Sequence, residues 1–372
     1  MSADALHAVA VANFFGPRTG GLRTALLEIG RGYRAAGHRY SLVVPGERDA
    51  AIETDVGVMH TVAAPPVPGS GGYRVIVRTG AVQRLLEELA PDRLELSDRT
   101  TLHGMAHWAL RHGIPCLLTA HERLDGVLAS AGVPVPLARR LADARNRASL
   151  DSGATVVATT AFAAREIERV GGRPVRVPLG VDLEQFTPVE RRSRAGVELL
   201  LCSRLSREKW PDLAIDTLRT LREGGVDARL TVAGHGPMRA ALERRSAGLP
   251  VRFLGYLEDR SELRRVLGTA DLTLAPGPIE TFGLAALESM ACGTPVIGNA
   301  ASALPEVIGT GGAAGLAADG TPEAFADAVD DLLLVPERVR RTAARRRAEQ
   351  FPWQRTVAAL LAITPTPDPV PA

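Results

Sequence analysis

The sequence predicts an α/β protein made of two doubly wound units, each a parallel sheet covered by helices on both faces. Three observations carry that prediction. Short apolar runs alternate with helix-periodic stretches along the whole chain, the pattern of βαβ units rather than hairpins. The rhythm pauses once, over residues 181–194, where a polar stretch containing a proline precedes a fresh apolar run. The length, 372 residues, suits two domains of ordinary size.

In chain order, residues 8–13 (Ala-Val-Ala-Val-Ala-Asn) form the first β-favouring run, and the stretch 21–36 after it has helical spacing. Strands are then expected at 40–44, 93–96, 116–120 and 155–159, each a run of four or five residues. Helices are expected between them at 81–89, 101–112, 136–150 and 162–170. After the pause, strands are expected at 197–202, 228–233, 251–254, 272–275 and 295–298. Helices follow at 211–223, 237–247, 261–268, 282–291 and 322–333. Runs this short and this apolar read as strands buried on both faces. The expected domains are therefore 1–186 and 187–350. A helix within 351–364 is expected to return to brace the first domain. Residues 365–372, Pro-Thr-Pro-Asp-Pro-Val-Pro-Ala, read as a flexible tail.

Composition narrows the function classes. Apolar residues make up 45% and charged residues 23% of the chain, as in soluble globular proteins. A net charge of +2 and 4% aromatics argue against nucleic acid as a partner. Cys116, Cys202 and Cys292 are far apart and have neither disulfide nor zinc spacing, which favours a reducing compartment. No apolar run approaches the ~18 residues of a membrane span, and residues 1–7 do not read as a signal peptide. Neither observation bears on binding at a membrane surface.

The most informative segment is Glu280-Thr-Phe-Gly-Leu-Ala-Ala-Leu-Glu288. Its two carboxylates fall on roughly one side, about two turns apart at 3.6 residues per turn. The amides of Phe282, Gly283 and Leu284 are expected to form a helix N-terminus between them, a natural anion site. An anion flanked by two hydroxyl-seeking carboxylates describes a sugar nucleotide. Arg204 and Lys209 follow the strand expected at 197–202, where parallel sheets bind ligands. Two fixed cations there would stabilise the charge growing on a departing diphosphate; the competing reading is a solvated basic loop.

Gly20 and Gly21 open the first helix, either to let backbone approach a ligand or as an ordinary strand-to-helix turn. Their spacing is not a dinucleotide fingerprint. His121 ends the strand expected at 116–120, poised to donate to a sugar hydroxyl or phosphate oxygen, against a purely structural role. Asp98 and Arg99 close the neighbouring strand as acceptor-side candidates or as a strand-end turn. No Asp-x-Asp pair follows a strand, so no metal cofactor is expected and the diphosphate is left to side chains and helix amides. On the stretch 136–150, Arg139, Arg140, Arg145 and Arg147 accompany Leu137 and Leu141. This is either a seat on an anionic bilayer or a solvated helix. The basic run 338–347 reads as exposed.

These residues resemble the retaining, nucleotide-sugar-dependent glycosyltransferases of the GT-B fold, family 4. The resemblance rests on Gly20-Gly21, His121, Pro178-Leu-Gly-Val-Asp182, Arg204 with Lys209, Ala233-Gly-His-Gly-Pro237, Phe253-Leu-Gly255 and Glu280 to Glu288 with Gly293-Thr-Pro295. Local strings such as Ser97-Asp-Arg and His121-Glu-Arg-Leu-Asp125 are similar to actinobacterial α-mannosyltransferases that use GDP-mannose and a phosphatidylinositol mannoside.

The resemblance implies two Rossmann-like domains facing a cleft, with the acceptor on the first and the donor on the second. It implies a cytoplasmic enzyme at the inner membrane face, with a nucleotide sugar and a lipid-linked or glycan acceptor as partners. By the same resemblance Arg204 and Lys209 hold the diphosphate, Glu280 the hexose and Glu288 the ribose. His121 meets the transferred sugar, and the Gly21 amide meets phosphate.

His235 and Trp210 depart from the family pattern. Glu258 or Asp259 is a candidate acceptor from guanine. Three other readings remain: the same fold with another nucleotide sugar and a soluble or natural-product acceptor, a nucleotide-sugar epimerase or hydrolase, and a non-catalytic sensor.

Overall fold

A computed structural model describes residues 5–16, 20–67, 72–191 and 195–363. The expected tail, 365–372, lies outside the described residues, as do 192–194 of the polar stretch between the domains. The chain divides into two compact units, one of residues up to 178 together with those from 353 on, the other Leu179–Pro352.

The first unit holds β1 (His7–Val11), β2 (Arg39–Gly46), β3 (Ala50–Thr54), β4 (Gly57–Ala63), β5 (Arg93–Leu96), β6 (Cys116–Ala120), β7 (Thr155–Ala158) and β8 (Val175–Arg176). They lie in the order β3-β4-β2-β1-β5-β6-β7-β8. Every pairing is parallel except β3 with β4. The second unit holds β9 (Val197–Cys202), β10 (Ala228–Ala233), β11 (Val251–Gly255), β12 (Leu272–Ala275), β13 (Val296–Asn299) and β14 (Gly315–Ala318). Their order is β11-β10-β9-β12-β13-β14, all parallel. Counted from its first strand this is 3-2-1-4-5-6, the dinucleotide-fold order, whose switch point falls between β9 and β12.

Burial explains why the central strands are legible in sequence. All of β1 is buried, as are Leu199, Leu200 and Leu201 of β9 and Leu272 and Leu274 of β12. The strands without such runs carry no signal of that kind. β3 is an edge strand, exposed over most of its length, and β14 is Gly-Leu-Ala-Ala, with no β-branched residue. Its pairing with β13 defines it, not its composition.

The boundary between units falls at Pro178, before the expected 186. The Val181 amide donates to the Phe351 carbonyl at 2.8 Å, tying both ends of the second unit together. The helix Trp353–Ala362 lies on the helix Gly21–Ala35 in the first unit. Arg93 Nη1 donates to the Leu360 carbonyl at 3.1 Å, and Thr356 Oγ1 donates to the Pro178 carbonyl at 2.8 Å.

The basic run 338–347 is not a free surface. It forms the helix Glu337–Ala348, and Arg340 is buried. Arg341 Nη2 donates to the Gly268 and Cys292 carbonyls at 2.7 and 3.2 Å. Arg345 Nη1 donates to the Phe186 and Ala291 carbonyls at 2.7 and 2.9 Å. Guanidinium groups here satisfy carbonyls that helix ends leave open. Burial, with Arg191 nearby, lowers the Arg341 pKa to about 10.

Candidate active site

In the second unit the loops after β9, β10 and β12 form one structure. The Ser203 amide donates to the Ala233 carbonyl at 3.1 Å, and the Leu205 amide to the His235 carbonyl at 3.0 Å. Gly234 has φ +147°, and a Cβ there would lie 1.9 Å from the Ser203 carbonyl oxygen. Only glycine permits that approach. Arg204 sits on this locked loop. Beyond it a short 3-10 turn, Arg207–Lys209, delivers Lys209.

Lys209 Nζ lies 2.5 Å from Glu280 Oε2. The Glu280 carboxylate also accepts from the Phe282 and Gly283 amides. Burial pushes this carboxyl up, but the Lys209 ammonium and the two amides outweigh it and hold it below the usual carboxylate range. Glu280 is therefore an anion at neutral pH, fixed by a cation and by backbone.

This corrects one expectation. Helix periodicity extended the helix to 282; it is Leu284–Ala291. Phe282 and Gly283 precede it and turn their amides to Glu280. Gly283 caps it in the left-handed region at φ 91°, where a Cβ would stand 2.6 Å from Leu304 Cδ2. The Leu287 amide is the first of this helix to bond back, to the Gly283 carbonyl at 3.0 Å. The anion-binding turn therefore starts at Leu284.

Glu288 is buried just over one turn into this helix, with Arg260 Nη1 at 3.2 Å from Oε1. Ser289 Oγ and Thr273 Oγ1, 2.6 Å apart, pin the helix to β12. Arg345 and Arg341 hold its last carbonyls. Of the two guanine-acceptor candidates, Asp259 instead caps the helix Arg260–Thr269, accepting from the Ser261 amide at 2.8 Å.

In the first unit, Gly20 caps the helix Gly21–Ala35, and among the described residues a Cβ there would meet nothing within 4 Å. His121 follows β6, with Nε2 3.1 Å from Ser97 Oγ. Burial, reinforced by the Arg99 guanidinium, lowers its pKa to about 4. The ring is neutral at pH 7, able to make a hydrogen bond but carrying no charge. Ser97 is legible in sequence only as the first residue of the Ser97-Asp-Arg string at a strand end.

Asp98 and Arg99 do not stand ready for an acceptor. Asp98 Oδ2 accepts from Asn13 Nδ2 at 2.7 Å and from the Thr101 and Leu102 amides at 3.1 Å. Asp98 Oδ1 takes the Thr100 amide at 2.9 Å. Arg99 Nη1 donates to Asn146 Oδ1 at 2.6 Å and pairs with buried Glu166 at 3.1 Å, while Nη2 donates to the Glu122 carbonyl. Both shape the strand end. Glu166 also takes the Leu124 and Asp125 amides at 3.2 and 2.8 Å, organising the loop after His121. In sequence it reads as one more polar residue of a helix.

The helix Val135–Asp151 turns Ala138, Ala142, Asn146 and Ser149 inward. Val135, Leu137 and Leu141 are 68%, 48% and 48% exposed, beside exposed Arg139, Arg140 and Arg147. Arg145 is not on that surface; its Nη1 lies 2.9 Å from His103 Nδ1. Among the described residues no helix is long and apolar enough to cross a membrane.

Residues 196–334 match the family model described as glycosyl transferases group 1, and residues 20–180 match a glycosyl transferase 4-like domain. The chain is 47% identical over 367 residues to the GDP-mannose-dependent alpha-(1-6)-phosphatidylinositol dimannoside mannosyltransferase of Mycobacterium tuberculosis, covering 96% of this chain and 95% of that one. It is 30% identical to the D-inositol 3-phosphate glycosyltransferase of Geodermatophilus obscurus, over 92% and 84% of the two chains. In fold it matches sucrose-phosphate synthase from Thermosynechococcus elongatus, with a TM-score of 0.78 at 19% identity over 95% and 97% of the chains.

Proposed function

The chain belongs to the group 1 glycosyltransferases, with a glycosyl transferase 4-like first domain, and on that premise we propose that it moves mannose from GDP-mannose onto a phosphatidylinositol mannoside in an α linkage. The identity to the mycobacterial mannosyltransferase over nearly both whole chains carries this reading. The chemistry of the second unit supports it.

Arg204 and Lys209 are assigned to the diphosphate, together with the amides at the start of the helix Leu284–Ala291. Glu280 is assigned to the hexose hydroxyls and Glu288 to the ribose. The C1–oxygen bond to the diphosphate breaks as the acceptor oxygen bonds C1 on the same face. The acceptor's proton passes to the departing diphosphate oxygen, so configuration is retained without a covalent enzyme intermediate. A fixed ammonium at Lys209 stabilises that oxygen as charge collects on it. Neutral His121 orients a sugar hydroxyl, and the amide at Gly21 approaches phosphate. This scheme calls on no metal ion.

The lipid acceptor also gives the basic, apolar surface of the helix Val135–Asp151 a role, as a seat on the anionic inner face of the plasma membrane.

The test is transfer of radiolabelled mannose from GDP-mannose to phosphatidylinositol dimannoside in vesicles, with UDP-glucose and ADP-glucose as competing donors. Lipid-extractable label with an α anomeric signal is expected. Transfer only from another nucleotide sugar would refute the donor assignment. Transfer only to soluble inositol phosphate, which the likeness to the inositol 3-phosphate enzymes makes the second acceptor to try, would refute the lipid acceptor. Thermal shifts supply an independent ranking, because a ligand at concentration [L] stabilises the native state by RT ln(1 + [L]/Kd).

A further inference from the structure

Trp210 follows Lys209 directly and has φ 45° and ψ 48°, the left-handed region. Among the described residues only Phe14 and Ala90 share a positive φ without being glycine. A bulky residue there is strained, and such strain persists where function holds it. The indole is 40% exposed, although tryptophan is highly buried on average.

The ring is nevertheless placed. A Cβ on Gly320 would stand 2.8 Å from Trp210 Cζ3 and 3.7 Å from Cε3, so that glycine makes room for the ring edge. Gly320 follows β14. Gly277, after β12, packs under Lys209, with its Cβ position 3.3 Å from Lys209 Cα. The loop after β9 thus reaches the loops after β12 and β14, at the carboxyl rim where parallel sheets bind ligands. It sets an exposed aromatic face one residue from the ammonium that grips Glu280.

We propose that Trp210 is a stacking platform for a pyranose ring, a specificity contact whose C–H face packs on the indole. The inference rests on the glycosyltransferase reading above. The pyranose is either the hexose of the donor or a sugar of the acceptor.

Fluorescence separates the two sources. Of the three tryptophans, Trp108 and Trp353 are 3% and 7% exposed, so acrylamide quenching reports mainly on Trp210. Protection by GDP-mannose but not by GDP identifies the donor hexose. Protection by phosphatidylinositol dimannoside vesicles, but not by phosphatidylinositol vesicles, identifies the acceptor glycan. Trp210→Gly relieves the left-handed strain, so its melting temperature should equal or exceed that of the wild type. Its KM for the protecting ligand should rise roughly tenfold, and Trp210→Phe should recover most of that loss.

A lowered melting temperature with unchanged KM in Trp210→Gly would mean a structural role and overturn the platform. If the wild type fails to use GDP-mannose, the donor assignment falls by itself. Quenching is then read with UDP-glucose and ADP-glucose, and protection by no sugar nucleotide and no glycolipid overturns the platform.

Discussion

Burial beside Arg99 holds the His121 imidazole neutral, with a pKa of about 4 against 6.5 for the free side chain. The native pKa is the lower one, so between about pH 6.5 and 4 the unfolded chain binds more protons. Stability therefore falls as pH drops through that window, by up to about 2 kcal/mol at pH 5. His121→Gln removes this term, so between pH 7 and 5 the wild type should lose more melting temperature than the variant. Parallel pH profiles would show that His121 is not the buried neutral group described here. Glu280 is the opposite case, held ionised by Lys209 and two amides. Glu280→Gln keeps the shape but removes the charge, and turnover should fall by roughly 10²–10³. Wild-type turnover in steady-state assays would remove Glu280 from the chemistry.

At the scale of elements, the helix Leu284–Ala291 is held at both ends. Gly283 begins it in a conformation where a Cβ would collide with Leu304. Gly283→Ala should cost about 1–2 kcal/mol from backbone strain alone, lowering the melting temperature by a few degrees. Arg341 and Arg345 close the other end, which is why a basic run that looks like surface is partly interior. The helix Val135–Asp151 supports a separate expectation. Each cation near an anionic bilayer contributes about 1 kcal/mol, so changing Arg139, Arg140 and Arg147 to glutamine should weaken vesicle binding by roughly a hundredfold. Arg145→Gln, facing His103, should change it little. Equal sedimentation of all three proteins with anionic vesicles would exclude this helix as the membrane seat.

For the whole molecule, the first unit is completed by the last described helix. Arg93 and Glu95 form a buried pair, 3.2 Å apart, under Tyr33, and Arg93 also reaches the Leu360 carbonyl. Ending the chain at Pro352 removes that acceptor and uncovers the surface of the helix Gly21–Ala35 on which this helix lies, where Val357 packs against Gly32. Loss of several kcal/mol from the first unit is expected. Hydrogen exchange should speed up in β1, β2 and β5 and stay unchanged in β9 to β13. Uniform protection would show that the helix contributes nothing to that unit.

The sequence by itself determined the two-unit α/β plan, the central strands and the positions of Arg204, Lys209, Glu280 and Glu288. Strands buried on both faces are mostly apolar, and the loops that follow such strands are where parallel sheets bind ligands. Tertiary structure alone decided which polar groups remain available. Asp98, Arg99, Arg145 and Asp259 have the right residue types and strand-end or helix positions, yet each is engaged by groups distant or adjacent in the chain. It also decided that Phe282 and Gly283 turn their amides to Glu280 ahead of the helix. A polar side chain's role depends on the partner that reaches it first, and hydropathy patterns carry no record of that partner.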